Sequence, residues 1–169
     1  MKKIVLFCLL LMAAAGMQAQ SLDGTWKYTM TEDDAVDMFF IFDKGSVSLN
    51  TYCDISDPVV GTMTLLVILP GSYTRNGDNL NIQSYPDQCE LKIEKMQYSD
   101  ELREAFKEQP ELESTIRKIM YDKLLEGKAT FAEGFKQFGD VTILKLTDKE
   151  LWLYKDGDAD KVVLARCTE

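Results

Sequence analysis

Short stretches in which apolar and polar residues alternate recur along most of the chain after residue 20. In the first of them, Trp26, Tyr28 and Met30 fall on one side of an extended backbone, and the residues between them fall on the other. Tight-turn signals separate the stretches, as at Lys44-Gly45 and Asn76-Gly77. Strands with one apolar face bury that face together, so the pattern predicts a mainly β fold. We expect a closed antiparallel up-and-down barrel of about eight to ten strands.

Counting these stretches, with residues 59–74 taken as one kinked strand, gives about nine strands. An up-and-down barrel with an odd number of strands would leave its first and last strands parallel. We therefore expect the count to be wrong by one strand, either at residues 59–74 or near Thr31. Pro70-Gly71 lies inside the long stretch, and we expect it to kink the strand rather than end it.

The period of the pattern changes between residues 99 and 138. Apolar residues there recur at helical spacing, which predicts a helical insertion packed on the barrel. Pro110 favours the start of a second helix, and we expect Gly127 to end it. Three phenylalanines then repeat at helical spacing before Gly139: Phe131, Phe135 and Phe138.

Residues 1–20 have the layout of a secretory signal peptide. Two lysines precede an apolar run over residues 4–12, and small residues lead to a cleavage site after Ala19 or Gln20. We therefore expect an exported protein, periplasmic or secreted, whose mature part, residues 21–169, forms one domain. The apolar run is too short to span a bilayer, and no later run is longer, so no transmembrane segment is expected.

Composition excludes several classes of function. The chain contains no histidine, which removes Ser-His-Asp and Cys-His catalysis and every metal site that needs imidazole. We expect no enzymatic activity, no cofactor and no metal. The formal net charge is −9, and loss of the two leader lysines makes it −11. A chain this acidic repels phosphate backbones, so a nucleic-acid partner is not expected.

Two groups of acidic residues have the composition of weak calcium sites. The first group precedes and enters the second strand, and the second group lies near the C-terminus. They consist of Glu32, Asp33, Asp34 and Asp37, and of Asp156, Asp158 and Asp160. The second group alternates around a glycine but lacks the distal glutamate of a calcium-binding loop. We interpret both as solvated turns.

Three cysteines remain once the leader is removed: Cys53, Cys89 and Cys167. An exported chain meets an oxidising compartment, so we expect one disulfide and one remaining thiol. Spacing alone does not separate the three pairings. Cys53 ends one predicted strand and Cys89 begins another, so a bridge between them at one rim of the barrel is our first choice. Three small buried thiols are the alternative.

Short motifs in four places resemble those of lipocalins. Gly24-Thr25-Trp26 is similar to the Gly-x-Trp of that family, and Leu164-Ala165-Arg166 is similar to the part of its final strand that carries a basic residue. The segment 71–82 looks like a hairpin common in bacterial lipocalin-like domains, and so does the run 147–151. The chain thus resembles a bacterial lipocalin-like, or calycin-type, domain.

The resemblance covers most of residues 21–98 and 139–167, and it has structural implications. In lipocalins the late basic side chain lies over the indole face and closes one end of the barrel. The resemblance therefore implies a structural contact between Trp26 and Arg166, of a kind that contributes about 0.5–2 kcal/mol. The chain departs from the family in its insertion, which precedes the last three strands, whereas lipocalins place their main helix after the barrel.

Two functions follow from these expectations. The first is an exported protein that binds a small apolar or amphipathic ligand inside the barrel. The side chains expected to line its cavity are Phe40, Phe42, Leu49 and Tyr73. Small barrels are also filled by such side chains, and a filled core is the alternative for these four. The second function is a protein-interaction or inhibitor module of the cell envelope, which would bind a protein partner through the helical insertion without a small-molecule ligand.

Overall fold

The structure, a computed structural model, describes most of the chain after residue 19. The described residues are 20–28, 36–134, 139–158 and 160–168, with the backbone alone for 131–134. Several predictions therefore fall outside the described part. These are the leader before Gln20, the acidic residues 32–34, and the side chains of Phe131, Phe135 and Phe138.

Nine strands and two helices make up the described chain. The strands are β1 (Gly24–Tyr28), β2 (Val36–Asp43), β3 (Ser46–Asp57), β4 (Gly61–Asn76), β5 (Asn79–Ser84), β6 (Glu90–Tyr98), β7 (Asp140–Leu146), β8 (Glu150–Tyr154) and β9 (Val162–Arg166). The helices are α1 (Asp100–Glu108) and α2 (Glu111–Gly134). Both helices lie between β6 and β7, which confirms the predicted insertion before the last three strands.

Eight of the strands close into an antiparallel barrel. Each pairs with the next in the order β1, β2, β3, β4, β5, β7, β8 and β9. The ring closes because β9 pairs with β1, with Trp26 opposite Arg166. The predicted mainly β fold and closed antiparallel barrel are thus confirmed, and the architecture is consistent with a lipocalin-like fold.

The sixth strand, β6, lies outside this ring. One edge of the long strand β4 pairs with β3, whereas its other edge pairs with β6 at residues 61–68 and with β5 at residues 71–76. A 3-10 turn, Pro86–Gln88, separates β5 from β6. The expectation of a miscounted strand is wrong, because an odd total is compatible with an even ring when one strand branches away from it.

Apolar side chains fill the inward positions of the barrel. They come from alternate residues of each strand, which is the same pattern that predicts the strands. The buried side chains of the ring strands include those of Trp26, Phe40, Phe42, Val47, Leu49, Leu65, Val67, Leu69, Leu80, Ile82, Val141, Ile143, Leu151, Leu153 and Leu164. Burial of this apolar surface is the main favourable contribution to folding.

Helix α1 begins at a capping residue, and α2 extends further than predicted. The Ser99 hydroxyl accepts a hydrogen bond from the Leu102 amide, which satisfies one free N–H group at the helix start. The prediction that Gly127 ends the second helix is wrong, because α2 continues to Gly134. Leu124 packs against the barrel core, and tertiary packing of this kind outweighs the ~1 kcal/mol that a glycine costs inside a helix. Within the described residues, no helix is long and apolar enough to cross a membrane.

Candidate functional site

The segment before β1 crosses one end of the barrel and is held there by Arg166. The guanidinium carbon of Arg166 lies 4.2 Å from the ring centroid of Trp26, which is fully buried. The same guanidinium donates hydrogen bonds to the carbonyl oxygens of Asp23 at 2.8 Å and Ser21 at 3.1 Å. One cation therefore covers the indole and fixes the entering backbone, a structural role.

Leu22 and Gly24, which lie shortly before Trp26 in the sequence, each make a close contact at this end of the barrel. Leu22 is buried in the core, and its carbonyl oxygen accepts a hydrogen bond from the Trp26 indole N–H at 2.8 Å. Gly24 has a φ of +128°, and a Cβ atom there would lie 2.7 Å from the Nη1 atom of Arg166. The backbone conformation thus favours a glycine, and any larger residue would in addition displace the guanidinium.

Asp23 is an additional link at this end of the barrel, and sequence reasoning missed it. Its Oδ1 atom accepts hydrogen bonds from the Lys44 amide at 3.1 Å and from the Tyr73 hydroxyl at 3.0 Å. The Lys44 amide and then the Tyr73 hydroxyl lower the pKa of Asp23. Asp23 precedes β1, so the alternation that predicts the strand does not include it. Its position directly before Gly24 is the signal that could have identified it.

We expect the Asp23→Asn variant to show a weaker loss of stability in acid than the wild type. The pKa of Asp23 is lowered in the folded protein, so the unfolded chain binds the proton more readily. Its contribution is present above the unfolded pKa of about 3.9 and is lost as the pH falls through the folded pKa. Urea unfolding across this pH range measures the difference.

Asp57 provides an internal reference for this experiment. The amides of Val60 and Val59 lower its pKa, so it contributes acid sensitivity equally to both proteins. The curves of unfolding free energy against pH for the wild type and the variant are expected to differ in slope only where Asp23 takes up its proton. Parallel curves would contradict the role assigned to this carboxylate.

The four side chains expected to line a cavity are brought together, and they occupy the barrel interior. The rings of Phe40 and Phe42 lie 6.3 Å apart in a near-parallel arrangement, and those of Phe42 and Tyr73 lie 5.1 Å apart edge to face. The void beside Phe40 and Leu49 has a volume of about 20 Å³. A void of this size holds about one water molecule. Phe40, Phe42 and Leu49 are buried in the core and Tyr73 packs against it, which favours the filled-core alternative.

The predicted bridge between Cys53 and Cys89 is not formed, and all three described cysteines are free. Register explains why. Cys53 pairs with Leu65 of β4, and Leu65 pairs with Ile93 of β6, four residues beyond Cys89. This offset along the strand is about 13 Å, and the two strands lie on opposite sides of β4. A disulfide requires Cα atoms within about 7 Å.

The acidic residues of the last loop do not form a metal site with the described residues. Asp156, Asp158 and Asp160 belong to no group of three potential metal ligands in the described part of the chain. Their interpretation as a solvated turn stays a prediction.

A groove lies between β6 and α2. It is lined on the strand side by residues 91–94 of β6, and on the helix side by Ser114, Arg117, Lys118 and Tyr121 of α2. The volume of the groove is about 670 Å³. Ligand sites in proteins typically have volumes of several hundred cubic ångströms.

The groove exists because α2 lies beside the open edge of β6. Near the end of β6, burial and then the charge of Glu113 raise the pKa of Tyr98. At the other end, the charge of Lys128 acts on Cys89, just before β6. The helix therefore runs antiparallel to the strand along its length. The next strand along the chain, β7, pairs with β5 and not with β6. No described strand therefore pairs with the edge of β6 that faces away from β4.

The groove carries more positive than negative charge. Its cationic side chains are those of Lys92, Arg117 and Lys118, and its acid is Glu94. Lys92 forms an ion pair with Glu90 at 3.1 Å, but Arg117 and Lys118 form none with the described residues. Sequence reasoning missed this site, although the insertion was correctly expected to be helical, because charges on a helix face are most often simply solvated.

Comparison with known proteins adds no relative to this picture. No protein-family model matches the chain, and no curated protein matches it. The class defined by the structure is therefore a closed eight-stranded antiparallel barrel with a ninth strand and two helices beside the ring.

Proposed function

We propose that the protein is a binding module in which the barrel is the scaffold and the groove between β6 and α2 captures a segment of a partner protein. One observation carries the proposal: β6 is paired along one edge, and its other edge faces a groove walled by α2. Open strand edges bind extended polypeptide segments through backbone hydrogen bonds. This proposal develops the expected protein-interaction role of the helical insertion.

Burial favours the groove over the barrel interior as the binding site. The interior side chains Phe40, Phe42 and Leu49 are almost completely buried, and the void beside them has a volume of only about 20 Å³. The groove has side chains that reach solvent: Tyr121, on its helical wall, is 43% exposed. Exposed aromatic side chains beside open backbone groups are suited to binding a protein segment.

The proposal includes the family and the location of the protein. The motif at Gly24-Thr25-Trp26, together with its contact to Arg166, supports a lipocalin-like protein. The signal-peptide layout of residues 1–20 supports export to the periplasm or beyond. The absence of histidine from the sequence supports binding rather than catalysis.

Selection from a displayed library of random peptides tests the proposed function. We expect the wild type to enrich peptides, and the Tyr121→Glu variant to bind the enriched peptides at least about tenfold more weakly, because a charge replaces an aromatic contact. Fluorescence anisotropy with the labelled peptides measures the affinities.

Ile119→Glu is the matched control variant. Ile119 is also an exposed apolar residue of α2, at 51%, but it does not line the groove. Both substitutions are at exposed positions, so both proteins are expected to fold, which circular dichroism verifies. Failure of the wild type to enrich any peptide, or equal loss of binding in both variants, would refute the proposed function.

A further inference from the structure

We infer that the groove binds an acidic, extended peptide segment of a partner protein, which adds to the free edge of β6 as a further strand. The inference rests on the proposed function and specifies the chemistry of the partner. Three observations carry it: the open backbone of β6, the unpaired cations of α2, and the spacing between those cations and an exposed aromatic side chain.

The open edge of β6 provides the backbone contacts. In an antiparallel pair, the backbone groups of a strand point alternately towards and away from its partner. At residues 91–93, which pair in regular register with β4, the groups that point away from β4 lie beside the groove, and no described strand pairs with them. A register shift leaves the next residue, Glu94, without a partner on β4. Unpaired strand edges of this kind are templates for another chain, and an added strand satisfies them without any change in the barrel.

The cations of α2 select the charge of the segment. Arg117 and Lys118 project from adjacent positions of the helical wall and have no ion pair within the described chain. The protein as a whole carries a net charge of −9, so a local excess of positive charge is a distinct feature of its surface. Carboxylates satisfy such cations through charge-assisted hydrogen bonds, and a basic segment would be repelled by them.

Spacing determines where the charge and an apolar side chain lie in the segment. Tyr121 lies one turn beyond Arg117, about 6 Å along the helix. Leu125, 44% exposed, lies one turn further on the same face of the helix. Side chains on one face of a strand repeat at about 6.8 Å. An apolar residue and an acid two positions apart would thus meet Tyr121 and Arg117 together.

A blocked, threonine-rich peptide that contains Glu-Thr-Leu-Thr-Glu is the probe for this arrangement. An acid lies two positions on each side of the leucine, so the probe fits in either strand direction. We expect it to bind the wild type at least about tenfold more tightly than the probe with Lys-Thr-Leu-Thr-Lys. Equal binding of the two probes, or no binding of the acidic one, would overturn the inference.

Charge reversal in the groove gives a second, independent measurement. In the protein with Arg117→Glu and Lys118→Glu, the acidic probe should lose at least about tenfold in affinity, and the lysine probe should gain affinity over its wild-type value. The control protein carries Arg103→Glu and Lys107→Glu, the same change of charge on α1, outside the groove. Loss in the control as large as in the groove variant would contradict the inference.

N-methylation of the probe, one residue at a time, tests strand addition. An added strand uses every second N–H group, so binding should weaken at alternate positions and persist at those between. A pattern without period two would exclude a strand. If library peptides bind but are not acidic or show no alternation, the inference fails while the proposed function stands; if no library peptide binds, the proposed function itself fails.

Discussion

Replacement of Trp26 by alanine is expected to lower the free energy of unfolding by about 3–5 kcal/mol. The indole is fully buried at the centre of one barrel end, so truncation leaves a cavity. It also removes the hydrogen bond to the Leu22 carbonyl and the surface over which the Arg166 guanidinium lies. Three interactions therefore disappear with one side chain.

The second tryptophan of the chain is the control. Trp152 lies on β8 and is half-buried, with the ammonium of Lys161 at 3.4 Å and that of Lys145 at 4.5 Å from its ring centroid. Trp152→Ala removes these cation–π contacts without a core cavity, so we expect a loss of about 1–2 kcal/mol. Urea unfolding followed by circular dichroism compares the two variants. Equal losses of unfolding free energy in the two variants would contradict the larger contribution assigned to Trp26.

Gly61→Ala is expected to destabilise the protein by about 3 kcal/mol or more and to separate β6 from β4. Gly61 has a φ of +115°, and a Cβ atom there would lie 2.0 Å from the Gln97 carbonyl oxygen and 2.8 Å from the Ser99 nitrogen. These are backbone atoms at the end of β6, so a side-chain rotation cannot relieve the clash. The strand itself has to move.

Gly77→Ala separates steric clash from backbone strain. Gly77 also has a positive φ, +62°, but no atom lies within 4 Å of the position of its Cβ. It should therefore lose only about 1 kcal/mol, the cost of a left-handed conformation for alanine. Urea unfolding gives both values, and hydrogen exchange of the β6 amides reports the separation. Similar losses, with β6 amides equally protected in both variants, would refute the clash.

The two positions also differ in what they imply for binding. Trp26 lies in the ring, away from the groove, so its replacement should lower stability but leave the affinity of the folded protein for the acidic probe unchanged. Gly61 pairs with the end of β6, and displacement of β6 removes the strand side of the groove. Its replacement should therefore abolish probe binding even under conditions in which the barrel remains folded.

Local pattern was sufficient to predict most elements. Alternation around Val47 and Leu49 marks β3, and it does so because a strand with one buried face needs apolar residues at every second position. The change to helical spacing after residue 99 likewise identifies the insertion, since Ser99 and Pro110 are residues that begin helices. The motif residues Trp26 and Arg166 could be singled out, but not their hydrogen bonds to the segment before β1.

The sequence by itself determined the strands and the helical insertion, because each follows from the period of neighbouring residues. Closure of the barrel was also expected, but it consists of the pairing of β1 with β9, two strands at opposite ends of the chain. Only the tertiary structure decided that β6 leaves the ring, that Cys53 and Cys89 lie on opposite sides of β4, and that Phe40 and Phe42 are buried in the core. The groove also belongs to this second group. The groove depends on the pairing of β5 with β7 and not with β6. This is a choice between segments that are distant in the sequence, and no local period records it.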